Sequence, residues 1–137
     1  MRKVIIRAIL AVCIGAPALA EGILYECDIT DHERARGWIS PKIAIVLPDS
    51  SSVKIVDAIT LSFAKEPVSG TISRNNGKRL IVNWSIKGVK ADNGTSFAAV
   101  NYRASIAKAT GAVSVTTIPA GYDSGLSGSG KCTTRRE

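Results

Sequence analysis

From residue 23 onward, apolar and polar residues alternate with a period of two, as in strands that bury one face. Ile23, Tyr25, Cys27 and Ile29 share one phase, and Leu24, Glu26 and Asp28 the other. Residues 31–37 are polar and end in Gly37, which predicts a loop or an edge excursion. Ile43, Ile45 and Leu47 resume the alternation. Pro48-Asp49-Ser50-Ser51-Ser52 is turn chemistry, and Val53, Ile55, Asp57 and Ile59 alternate beyond it, so a hairpin is expected. Leu61 and Phe63 lead into Lys65-Glu66-Pro67, where proline stops regular pairing. Asn75-Asn76-Gly77 marks a second hairpin, because Asn and Gly tolerate positive φ. Leu80, Val82, Trp84 and Ile86 then predict the clearest inward face, with Asn83, Ser85 and Lys87 outward. After the turn at Asp92-Asn93-Gly94, Ala98, Val100, Tyr102, Ala104 and Ile106 predict the inward face of a long strand. Thr110-Gly111 leads to Val113, Val115 and Thr117. Pro119-Ala120-Gly121 ends that strand, and Leu126 to Thr134 is the last. No segment shows a sustained helical period with caps, and no internal repeat is present.

These elements define an all-β chain of about eight short strands. Sequential neighbours usually pair, so the expected topology is an antiparallel meander. Eight such strands can close into a small barrel of the lipocalin-like kind, which removes exposed edges; a two-sheet sandwich is the less favoured arrangement. Leu126, Gly128, Gly130 and Cys132 share a phase, and Cys27 lies in phase with Ile23, Tyr25 and Ile29. Both cysteines therefore face inward if the first and last strands are neighbours.

The first twenty residues stand apart. Arg2, Lys3 and Arg7 precede an apolar run from Ala8 to about Ala16, followed by Pro17 and Ala18-Leu19-Ala20. That order reads as a cleavable signal peptide over residues 1–20, leaving residues 21–137 as a single β-barrel domain beginning at Glu21. The run is too short for a membrane-spanning helix, which needs about 20 apolar residues. Cys13 is a poor lipidation site because bulky Val12 precedes it. Export to the periplasm or the medium is the expectation, with no transmembrane segment.

Cleavage removes three basic residues and no acidic ones, lowering the formal charge from +7 to +4. Acidic residues gather near Glu21–Glu33, whereas eight basic residues and two acidic ones lie between Lys65 and Lys108. Such a surface suits an anionic polymer or membrane; an ordinary soluble coat is the plainer reading.

Two cysteines remain after cleavage, Cys27 and Cys132, and an even pair in an oxidising compartment predicts a disulfide. With one histidine, His32, and no C-x-x-C, neither a metal site nor a cofactor is expected. Gly125 to Cys132 nearly spells a phosphate-cradling loop, but it lacks the hydroxyl after Lys131 and any room for the following helix. No G-x-S-x-G is present, and no paired acid–base groups suggest an enzyme. Asn93-Gly94-Thr95 matches a glycosylation sequon of the kind common on turns by chance. Trp38, Trp84, Tyr25, Tyr102, Phe63 and Phe97 would line a ligand cavity or fill the core. The candidate contact residues are His32, in a polar loop, and Tyr122 and Asp123, in a glycine-rich loop that offers little to bury.

The frame Tyr25-x-Cys27, Gly37-Trp38-Ile39, Trp84-Ser85-x-Lys87-Gly88, Gly121-Tyr122-Asp123 and Gly130-x-Cys132 resembles a group of short exported bacterial proteins of unknown function with a Cys-bracketed β domain. Periplasmic lysozyme inhibitors of the small-barrel type share the signal, the size and the Tyr-x-Cys opening. They carry a Ser-Gly-x-x-Tyr loop that this chain lacks. The reading that follows is an exported, non-catalytic binding module of the bacterial cell envelope, with a protein or small molecule as partner and no nucleic acid. The alternatives are an inhibitor or partner of an envelope enzyme, and a carrier of a small apolar ligand.

Overall fold

The computed structural model describes residues 22–31, 35, 37–90, 94–122 and 125–136. Eight strands follow one another: β1 (Ile23–Asp31), β2 (Lys42–Leu47), β3 (Val53–Asp57), β4 (Val68–Asn75), β5 (Arg79–Lys90), β6 (Ser96–Ala107), β7 (Ala112–Pro119) and β8 (Leu126–Arg136). Each pairs antiparallel with its neighbour in sequence, and β8 returns to β1, closing the barrel. The period of two explains the closure. Seven strands each contribute buried residues on one face, β4 contributes only the half-buried Val68, Gly70 and Ile72, and a closed meander hides these faces without leaving an edge. Ile45, Ile55, Leu80, Val82, Val100 and Ile106 are at most 1% exposed at its centre.

The two ends of the barrel differ. At one end lie tight turns at 48–52, 76–78 and 108–111. The Asp49 carboxylate closes the first by accepting from the backbone N–H groups of Ser51 and Ser52 at 2.8 and 2.9 Å. Asn76 closes the second by accepting from the N–H groups of Lys78 and Arg79. The other end carries the links from β1 to β2, β3 to β4, β5 to β6 and β7 to β8, three of them longer than any turn at the first end.

The seam joins β1 to β8. Cys27 and Cys132 are register partners there and form a disulfide between residues 105 apart in sequence, with Cα atoms 3.9 Å apart. The neighbouring glycines are needed for this fit. A Cβ on Gly130 would overlap the carbonyl of Asp28 on β1, next to the register shift between Ile29 and Asp31. Gly111 turns with φ +78°, and its carbonyl accepts from the Cys132 N–H at 2.7 Å. The stretch from Gly125 to Cys132 leads into strand β8 and is largely part of it, so no helix N-terminus follows that could hold a phosphate.

Two features depart from the strand pattern. The alternation from Val53 through Ile59 suggested a strand, but β3 ends at Asp57 and a short helix α1 (Ala58–Phe63) follows. Asp57 is extended and caps it. Its carboxylate accepts from Thr60 N at 2.7 Å, while Thr60 Oγ1 accepts from Asp57 N at 2.9 Å. This reciprocal capping box satisfies two donors at the point where the ladder stops. The second departure is Ala98, expected inward but exposed. Gly88, with φ +66°, lies opposite it and reverses the buried side of β5. Ile86 and Val89 are both buried, so beyond Gly88 the odd-numbered residues face the core. Phe97, the register partner of Val89, turns inward with it and Ala98 turns out.

Candidate functional site

The end with long connections gathers the aromatic residues. The loop after β1 returns through Trp38, whose N–H donates to the Ala35 carbonyl at 2.8 Å. The Tyr102 hydroxyl on β6 donates to the Trp38 carbonyl at 2.7 Å and fixes that loop against the wall. Trp38 meets Phe97 edge-on, with ring centroids 5.3 Å apart. Phe97 in turn meets Tyr122 at 5.8 Å and a tilt of 55°. Tyr122 is held by a turn in which its N–H donates to the Pro119 carbonyl at 3.1 Å, and Gly121 supplies φ +90°. The three rings form a row running from half-buried to solvent, and Tyr122 is 57% exposed at its outer end. Leu61 and Phe63 on α1 are exposed at the same end of the barrel.

Beneath this row a few polar groups enter the interior: Ser40, Asp57, Thr60 and Thr117 are buried. Trp84 and Tyr102 are cross-strand partners and stack with ring planes 4° apart. Thr117 is the next partner across β7 and is fully buried. Burial, and secondarily the nearby Asp57 charge, push the Tyr102 phenol up to about 12; the adjacent Thr117 hydroxyl opposes this. Burial also raises the Asp57 carboxyl above its ordinary range, against the hydrogen bonds from Thr60 and its neighbours. Trp84 Nε1, Thr117 Oγ1 and Ser40 Oγ are buried without a hydrogen bond of good geometry. An ordered water beside any of them would remove the penalty of an unmet polar group.

The aromatic residues named from sequence thus divide by role. Tyr25, Trp84 and Tyr102 are core, Trp38 and Phe97 are half-buried, and Phe63 is exposed. Of the candidate contacts, Tyr122 lies at the open end; His32 and Asp123 lie outside the described residues, as does Asn93 of the sequon. The sequence reading missed that Trp38 and Phe97 support Tyr122. The interrupted alternation at Lys87-Gly88-Val89 is the signal that would have revealed it, since that is where Phe97 changes side.

Among the described residues no three His, Cys, Asp or Glu side chains come together at metal-binding distance. Three clefts bounded by described residues open on the outer wall. No helix among the described residues is long and apolar enough to cross a membrane.

The fold and this end define the class: a disulfide-stapled, closed eight-stranded meander barrel with an aromatic row at one mouth. No family model matches the chain, and no curated protein or solved structure matches it either.

Proposed function

We propose that the protein is an exported, non-catalytic binding module of the bacterial envelope, periplasmic or secreted, that meets a protein partner through Tyr122. The observation that carries this reading is the exposed Tyr122 ring resting on Phe97, which itself rests on Trp38. A tyrosine held rigid on other rings presents contact area at low entropic cost, and such anchors dominate protein interfaces. The large aliphatic side chains that fill the barrel centre favour surface contact over carriage of an apolar ligand. The disulfide and the n-region, h-region and A-x-A order of residues 1–20 support export.

Immobilised wild-type protein, Tyr122→Ala and Lys54→Ala are to be compared for capture from envelope extract. A partner retained by wild type and Lys54→Ala but lost by Tyr122→Ala supports the reading. Capture indifferent to Tyr122 overturns it. N-terminal sequencing of exported material should begin at Glu21, and a start at a lipid-modified Cys13 would end the soluble-export reading.

A further inference from the structure

Charge on the barrel is segregated by strand. From β4 to β8 the described residues include ten Lys and Arg and no Asp or Glu. The acidic side chains Glu26, Asp28, Asp31, Asp49, Asp57 and Glu66 all precede β4. Both ion pairs among the described residues involve β1: Asp28 with Lys42 at 3.3 Å and Glu26 with Arg135 at 3.1 Å. Apart from Arg135, no cation of the β4–β8 sector has a carboxylate partner among the described residues. A coat selected only for solubility intersperses both signs. A one-signed wall repels itself and attracts an opposite charge.

The wall is built as well as charged. Arg79 donates to Ser105 Oγ at 2.7 Å, and Lys108 Nζ donates to Asn75 Oδ1 at 2.6 Å. These neutral acceptors hold the cations in place and leave their charge uncompensated. Between them and Lys87, β5 and its neighbours present hydrogen-bonding side chains: Asn83 lies opposite Arg103, which lies opposite Thr116, and Ser85 lies opposite Asn101. The Ser85 hydroxyl donates to Asn101 Oδ1 at 2.6 Å, which orients that amide. The Arg103 guanidinium makes no hydrogen bond or ion pair with the described residues, and it lines a cleft with Asn83, Ser85, Asn101, Tyr102, Thr116 and the exposed Ile118. At about 3.3 Å per residue, Arg79 and Lys87 stand about 26 Å apart along the strand.

We propose that this wall binds a linear anionic polysaccharide. Its acidic groups would meet Arg79, Arg103 and Lys87, and its hydroxyls would meet Asn83, Ser85, Asn101 and Thr116. Cations at intervals with amides and hydroxyls between them match a chain that carries charge and hydroxyls in alternation. A single-stranded nucleic acid needs exposed rings for its bases to stack on, and the wall offers none. Docking on an anionic bilayer needs apolar side chains beside the cations. Among the described residues a single exposed large apolar side chain, Ile118, stands beside Arg103, while Leu61, Phe63 and Tyr122 lie at the end with long connections. The inference extends the binding-module reading to a ligand class, on a surface separate from Tyr122.

Fluorescence anisotropy of labelled oligogalacturonate with the folded protein tests it. Saturable binding is expected that weakens as salt rises and is not displaced by neutral dextran. Arg79→Glu combined with Arg103→Glu should weaken it at least tenfold, and Arg103→Gln alone severalfold. Lys54→Glu on β3 should change it less than twofold, with melting curves confirming that each variant is folded. Absence of binding, equal binding by all variants, or preference for an oligonucleotide or for anionic vesicles would overturn the inference. Tyr122→Ala should keep full oligosaccharide affinity. Failure of the wall and failure of the aromatic end are therefore read separately.

Discussion

The hydroxyl of Tyr102 donates to the carbonyl of Trp38 at 2.7 Å, across 64 residues of sequence. That bond joins the core stack of Trp84 and Tyr102 to the surface row of Trp38, Phe97 and Tyr122. Tyr102→Phe keeps the stack and removes the bond. The expected cost is about 1 kcal/mol, the net value of one hydrogen bond, measured by urea unfolding. The phenol is raised to about 12 in the folded state. Its contribution to stability is full below pH 10 and is lost as pH rises through 12, so alkaline unfolding should be shallower in Tyr102→Phe.

Asp57 is a buried cap whose carboxyl is raised from 3.8. The folded state therefore holds its proton more tightly than the unfolded chain does. The stability this provides is full below pH 3.8 and falls as pH rises through the folded value. Asp57→Asn should retain the bond from Thr60 N and flatten the dependence of stability on pH in that acidic window. Asp57→Ala should lose about 1–2 kcal/mol at neutral pH, as caps usually do. Unfolding curves at pH 4 and pH 7 compare the three proteins.

Reduction of Cys27–Cys132 releases a 105-residue loop. Chain entropy assigns a loop of about 100 residues some 4.7 kcal/mol, and losses of about 2–5 kcal/mol are usual. Denatured protein from residue 21 onward should show no free thiol without reductant, and the Cys27→Ala, Cys132→Ala pair should lower the melting temperature markedly. Two titratable thiols in unreduced protein would refute the staple.

Gly130→Ala should destabilise by about 3 kcal/mol, because the new methyl meets the Asp28 backbone, which cannot move without opening the seam. Gly77→Ala is the control: a Cβ there meets nothing within 4 Å. Thermal melts of the two variants give the contrast.

Tyr122→Ala should cost no more than about 0.5 kcal/mol, because the ring is mostly in solvent and touches only the edge of the row. A drop in melting temperature as large as that of a core variant would place Tyr122 among the packing residues and weaken its assignment as a contact.

The barrel was legible wherever alternation ran unbroken. Leu80, Val82, Trp84 and Ile86 are all buried as their phase requires, and the shared phase of Cys27 and Cys132 anticipated their pairing. The strand expected through Ile59 stops at Asp57, because that one residue both ends β3 and caps a helix. Its period-two neighbour Ile59 continued the strand pattern by coincidence, while the D-x-x-T spacing carried the helical signal. Ala98 was misread because a single glycine torsion at Gly88 exchanges the two faces, and phase counting assumes none. The charge imbalance of β4–β8 was visible as a count. Its concentration on one wall became visible only once closure set β5, β6 and β7 apart from β1, which carries Glu26, Asp28 and Asp31.

Ile23 and Arg136 are register partners. The described ends of the domain therefore emerge side by side, at the end with tight turns. A tether on either one, whether a fusion, a surface linkage or a neighbouring domain, holds the barrel by the same pole. Trp38, Phe97 and Tyr122 then point away from whatever the chain is attached to, and the orientation is the same whichever terminus carries the attachment.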